Sequence, residues 1–215
     1  MKKFAFLALA LAVVMTTGNL VAVAQTTNPL AGKIIALDAG HGGGETGAVG
    51  YCEGVAVLES DVNLAVRAEL TTLLTNAGAT GYPVAQLSTR KARVADAESA
   101  GSNVLISIHH NGSSNTSADY TQSFVTQKND KDFAKYIHPR LVLAFGPDKG
   151  IKNDGYGMTV YGSLPGILTE SYFITNTNAN GQAALASSSP VAIAKNSGTG
   201  STVAGAAVGA AGSAS

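Results

Sequence analysis

The sequence has a single cysteine, Cys52, so an intramolecular disulfide is excluded and the fold must be held by its core or by a metal. It also has no excess of either charge: setting aside Lys2 and Lys3, 12 basic residues stand against 14 acidic ones. A chain so nearly neutral lacks the basic footprint of a nucleic-acid-binding protein, and no nucleic-acid partner is expected. Long apolar runs are missing too. Only "FAFLALALAVV", Phe4 to Val14, comes near one, and it is shorter than the roughly 18 to 20 residues that a membrane span requires. No internal repeat stands out.

That one apolar run follows two lysines and leads to small residues ending in "AVA" before Gln25, the layout of a cleaved secretory signal. The expected organisation is therefore a signal peptide over 1–24, a short linker over 25–32, one globular domain over 33–185 and a tail over 186–215. In the tail the composition falls to Ala, Gly, Ser and Val, with Lys195 as its only charge and no aromatic residue. Such a segment has little to bury and cannot offset the entropy of ordering it. No transmembrane segment is expected after signal cleavage, and the mature protein is expected in the periplasm, the cell wall or outside the cell. About 150 residues suffice for one core.

Within the domain, "KIIALD" (Lys33 to Asp38) is almost continuously apolar and bounded by glycines, which favours a strand buried on both faces. From Glu59 to Ala77, Val62, Val66, Leu70, Leu73 and Leu74 recur at helical spacing, and Gly78 supplies a stop. "YPVAQLS" (Tyr82 to Ser88) reads as a strand, Lys91 to Ala100 as a helix, and "NVLISIHHN" (Asn103 to Asn111) as a buried strand ending in two histidines. "QSFVTQ" is a further strand. Asp130 to Phe145 reads as a helix in which Pro139 implies a kink or a break. "GMTVYGS" and "GILTESYFITN" are apolar stretches. The alternation predicts an α/β domain with a mostly parallel or mixed open sheet and helices on both faces.

The ionisable residues that interrupt this pattern fall where strands end or helices begin. His41 lies in "LDAGHGGGETG" after the first strand, Glu59 opens the long helix, His109 ends another strand, and Glu170 sits inside "PGILTESYFITN". In open α/β sheets, ligands collect at the carboxyl ends of strands. Two neutral imidazoles and a carboxylate make an open zinc set, leaving one position for water. Each residue alone has a plainer account: an exposed loop histidine for His41, a favourable first-turn carboxylate for Glu59, a satisfied buried histidine for His109 or His110. A salt bridge to Arg90 or Arg93 would similarly account for Glu170. His109 and His110 must point to opposite faces of their strand, and His109 is the one assigned to the site. His138 is expected at the surface. The glycines do not form a phosphate loop, since the Gly-Lys-Ser/Thr ending is absent.

In order along the chain, "LDAGHGG", "LESDVNLAVRAEL", "STR", "SNVLISIHHN" and "LPGILTESYFITN" resemble the zinc-dependent N-acetylmuramoyl-L-alanine amidases of the Amidase_3 type, from Lys33 to about Asn176. The resemblance implies one zinc ion per chain held by His41, Glu59 and His109, with Glu170 as the catalytic glutamate. It further implies hydrolysis of the amide between N-acetylmuramic acid and the first L-alanine of the peptidoglycan stem peptide. Asn111 would lie beside the site and Asp38 would orient a ligand histidine. Three departures accompany the match: Ala39 stands where the family more often has proline, the stretch after "STR" is short, and no closing amphipathic helix is evident beyond Asn178. A zinc peptidase of wall peptides and a non-catalytic wall-binding relative are the alternative readings, and Cys52 as a fourth ligand would close the site into a structural one. A monomer is the default expectation, and the sequence leaves open whether a protein activator is required.

Overall fold

In the computed structural model, residues 28, 30–153 and 155–177 are described. The expected signal peptide and tail, and the closing-helix question, lie outside the described residues. Strand β1 (Ile34–Ala39) is followed by a hairpin of β2 (Val49–Cys52) and β3 (Val55–Leu58), helix α1 (Glu59–Asn76), β4 (Thr80–Pro83), α2 (Arg90–Ser99), β5 (Val104–Asn111), β6 (Thr121–Val125), α3 (Lys128–Phe145) and β7 (Asp148–Asn153). A short 3-10 turn (Gly157–Val160) then leads to β8 (Gly166–Phe173). Six strands form one sheet in the order β4-β1-β5-β8-β6-β7. The first four run parallel, β6 is antiparallel to β8, and β7 is parallel to β6. The expected mixed open sheet is what forms.

Helices cover both faces. On one, Val62, Val66, Leu70 and Leu74 of α1 and Phe133, Ile137 and Leu141 of α3 pack with Ile35, Leu37, Ile106, Ile108 and Ile167. On the other, Val94 and Ala97 of α2 pack with Ala36, Val84, Leu105 and Met158. Ala36 and its neighbours Ile35 and Leu37 thus serve opposite cores, as the two-residue period of a strand dictates. All eight residues of β8 are buried, which is why "GILTESYF" reads as a continuous run rather than an alternating one.

Local chemistry sets the boundaries. Thr89 caps α2 by accepting a hydrogen bond from the Ala92 N–H at 3.2 Å. Gln127 and Asp130 form a capping box on α3, and the helix runs uninterrupted past Pro139 to Phe145. Its buried residues Ile137 and Leu141 anchor it on both sides of the proline. Three elements differ from expectation: β7, which was not foreseen, the strand at Tyr82 and the β2–β3 hairpin. The strand at Tyr82 stops at Pro83; Val84 N–H still donates to Leu37 O at 3.0 Å, but from there the backbone turns to side chains, Val84 O accepting from Arg67 at 2.9 Å and Ala85 N–H donating to Asp96 at 2.9 Å. The β2–β3 hairpin was not expected. Its two-residue turn, Glu53 at φ 51° and Gly54 at φ 79°, has the paired positive φ values of a type I′ hairpin.

Candidate active site at the strand ends

β1 and β5 end side by side, with Ala39 paired to Ile108, and β8 lies against β5 with Glu170 opposite His109. This register brings His41, His109 and Glu170 to one rim of the sheet, and the N-terminus of α1 adds Glu59. Glu59 is buried and forms the hub. Its Oε1 lies 2.9 Å from His109 Nδ1 and accepts the His110 N–H at 3.1 Å. Its Oε2 lies 3.1 Å from His41 Nε2 and accepts the Ala48 N–H at 2.9 Å.

Burial alone would raise the Glu59 carboxyl, but the hydrogen bonds from His109 and His41, with the Ala48 N–H, hold it well below the usual carboxylate range. The bond to Glu59 raises His41 correspondingly, against the opposing effect of burial. Donor atoms of His41, Glu59 and His109 all lie within 4.8 Å of one another, the only group of metal-ligating type among the described residues. Cys52, half-buried in the hairpin, is not in it.

The backbone around these side chains is shaped to admit them. His41 has φ 63°, a conformation uncommon outside glycine. A Cβ on Gly40 would collide with the His109 ring, and one on Gly47 would fall 2.5 Å from Glu59 Oε2. The loop is pinned from behind by Arg93, which donates to Leu87 O at 2.7 Å, Ala39 O at 3.0 Å and His41 O at 2.8 Å. Asp38 does not touch a histidine: its carboxylate pairs with Arg93 at 3.0 Å and accepts from Ser107 at 2.7 Å. It therefore orients the His41 loop through the arginine.

Glu170 is buried with Oε2 lacking any hydrogen-bond partner. Burial, reinforced by the nearby negative charge of Glu59, raises its carboxyl well above the ordinary value. The salt bridge to Arg93 considered from the sequence does not form, because Arg93 is committed to Asp38 and three carbonyls. An open groove of about 480 Å³ joins Glu170 to His41, Glu59, His109 and Asn111. Thus the four residues picked from the sequence come together, and Asn111 borders them.

His110 also borders the groove but is not one of the grouped donors. It is fully buried, its Nδ1 lies 2.7 Å from Asn63 Oδ1, and its ring meets Tyr172 edge-on at 4.6 Å. Since an amide oxygen only accepts, His110 carries its proton on Nδ1; burial lowers its pKa to about 4 and keeps it neutral. Asn63 in turn donates to Gly40 O at 3.1 Å. Asn63, His110 and Arg93 support the site from behind; the sequence offered His110 as a satisfied buried histidine and Arg93 as a partner of Glu170, but not the bonds to Asn63, Asp38 and the His41 loop that they make. His138 is buried rather than superficial, bonded to Ser123 at 2.9 Å and Asp148 at 2.8 Å.

The N-acetylmuramoyl-L-alanine amidase family, Amidase_3, matches residues 35–197. The chain is 35% identical over 164 residues to the uncharacterized protein YqiI of Bacillus subtilis, covering 72% of this chain and 77% of that one. It is 34% identical over 179 residues to the N-acetylmuramoyl-L-alanine amidase LytC of the same organism, covering 76% of this chain but only 35% of LytC. Among solved structures, the catalytic domain of CwlV from Paenibacillus polymyxa superposes with a TM-score of 0.65 at 23% identity, over 85% of this chain and 97% of that one. AmiC2 of Nostoc punctiforme gives 0.68 at 21% identity, over 83% and 94%. The family match spans residues 35–197 and a relative 35% identical is covered over 77% of its length: the chain belongs to the N-acetylmuramoyl-L-alanine amidase family.

Proposed function

We propose that this protein is a zinc-dependent N-acetylmuramoyl-L-alanine amidase, in which His41, Glu59 and His109 hold the metal and Glu170 handles the proton. The observation that carries the reading is the convergence of two imidazoles and a carboxylate on one point, with an unpartnered buried carboxyl in the same groove. The donor set fits the ion. Glu59 Oε1 lies 2.9 Å from His109 Nδ1 and Oε2 lies 3.1 Å from His41 Nε2, each close to the edge of about 3.3 Å spanned by two ligands bound tetrahedrally at about 2.0 Å, and one donor atom from each residue falls within 4.8 Å of the others. Gly40 and Gly47 keep the space around the donors open. Bound zinc supplies Lewis acidity, polarising the scissile carbonyl and acidifying water at neutral pH.

The remaining work belongs to the chain. Arg93 and Asn63 hold the carbonyls of His41 and Gly40, fixing the loop that presents His41. Glu170 Oε2, free of any competing hydrogen bond, takes the proton of the attacking water and delivers it to the departing L-alanine nitrogen. A carboxyl held above its usual pKa by burial suits both halves of that transfer. Asn111, at the edge of the groove, contacts substrate.

Export of a mature chain beginning near Gln25, to periplasm or wall, gives it access to peptidoglycan. None of the described helices is long and apolar enough to cross a membrane. The test is digestion of purified sacculi by wild type, by chelator-treated protein and by Glu170→Ala, with metal content measured alongside. We expect about one zinc per wild-type chain, no cleavage after chelation, and Glu170→Ala retaining zinc while losing about 10²- to 10⁴-fold in rate. The products should be free stem peptides beginning with L-alanine. Release of D-alanine instead would mark a peptidase, and near-normal activity of Glu170→Ala would remove the proton-transfer role.

A further inference from the structure

A second groove, again about 480 Å³, leaves the His41 and His109 side of the site in another direction and runs to the start of α2. Its lining includes Ser88, Thr89, Arg90 and Lys91 at the start of α2, together with Tyr156 and Tyr161. Its charges are unevenly placed. Asp38 is buried and neutralised by Arg93, and the exposed Glu45 sits at the near end, 4.0 Å from His41. At the far end the exposed Arg90 and Lys91 make no ion pair among the described residues. Their backbone N–H groups, in the unsatisfied first turn of the helix, have no acceptor there either. The other arginines are unsuited to this role: Arg67 is half-buried and bonded to Val84 O, Arg93 is committed to the loop, and Arg140 lies on α3.

We propose that this groove receives the stem peptide and that Arg90 and Lys91 bind its free carboxylates, making them specificity-determining residues. The first groove has no lysine or arginine among its lining residues; beyond the site's own histidines and carboxyls it is bordered by Asn111, Gly112, Ser113 and Ser114, and it is left for the sugar. The inference rests on the amidase reading for the identity of the ligand. Its physical basis is the placement of charge: among the described residues lining the two grooves, Arg90 and Lys91 are the cations without an ion pair, and both stand on this groove, where the carboxylates of a peptide would meet them.

The experiment compares N-acetylmuramoyl tripeptides of one sequence with free or amidated carboxylates, on the zinc-loaded enzyme and on the Arg90→Gln/Lys91→Gln double variant. Wild type should show a KM about three- to tenfold lower for the free acid. The double variant should lose that preference with kcat little changed, and Arg90→Lys/Lys91→Arg should restore it. Binding of the corresponding product tripeptides, followed by calorimetry, should show the same pattern. Equal KM for the two substrates in wild type, or an equal effect of the double variant on both, overturns the proposal. If neither substrate is hydrolysed, the amidase reading fails; the binding arm then decides the groove's role alone, and equal affinity for acid and amide overturns it.

Discussion

Glu59 and Glu170 are buried carboxyls at one site, and their surroundings drive them in opposite directions. Glu59 is surrounded by N–H donors and imidazoles and stays ionised; Glu170 has no partner for Oε2 and resists ionisation. The second case has a consequence for stability. A carboxyl whose folded pKa lies above its unfolded value of about 4.3 gives its full contribution below that value. The contribution is lost as pH rises through the folded pKa. In chelator, Glu170→Gln should therefore match wild type near pH 4 and be more stable by about 1 kcal/mol or more at pH 8 in urea titrations. A constant difference across pH would mean that Glu170 does not titrate as its burial implies. At this scale the four chemical residues were legible because each is an ionisable group breaking an apolar run or opening a helix. Their supports were not: Arg93 reaches His41 across 52 positions and His110 reaches Asn63 across 47, and no local pattern encodes such bonds.

Among the elements, β1, α1, α2, β5 and β8 were readable because burial and helical period leave a strong imprint. β7 was not. "DKGIKN" is a largely exposed edge strand, where charge rather than alternation is the rule. It is fastened by His138 of α3, which bridges Ser123 on β6 and Asp148 on β7; that bond, with one from the Gly150 N–H, lowers the Asp148 carboxyl. The Asp148 end is largely exposed and worth little. The Ser123 end is buried, so His138→Ala leaves a hydroxyl unsatisfied and a small cavity. A loss of about 2–4 kcal/mol is expected, with hydrogen exchange accelerating first in β7 and only weakly in β1 and β5. Uniform acceleration would show that His138 supports the whole core rather than the edge. The hairpin was missed for a different reason: Glu-Gly at its turn is a weaker signal than Asn-Gly or Asp-Gly.

For the molecule as a whole, the parallel half of the sheet follows from alternating strands and helices, but the antiparallel placement of β6 does not. Only nine residues separate β5 from β6, and the space between them in the sheet is filled later by β8; periodicity carries no record of direction. Zinc should tie these parts together, since its proposed ligands come from the β1 loop, the start of α1 and the end of β5. An ion bound only by the folded chain stabilises it by about 2.7 kcal/mol at a hundredfold excess over Kd, which for a domain of this size raises Tm by about 5–10 °C. Thermal melts with zinc and with chelator should show that gap in wild type and none in His41→Ala. An unchanged Tm in wild type would argue against binding of this kind.

Strand β1 also fixes where the domain can be tethered. The chain reaches the sheet at Ile34 and arrives at the reactive rim only after Ala39, a separation of about 20 Å for six extended residues. Any linker joined upstream of Asn28 thus meets the domain at the rim opposite the grooves. Immobilised through that end, the protein would present its reactive rim outward, toward an insoluble polymer too large to come to it.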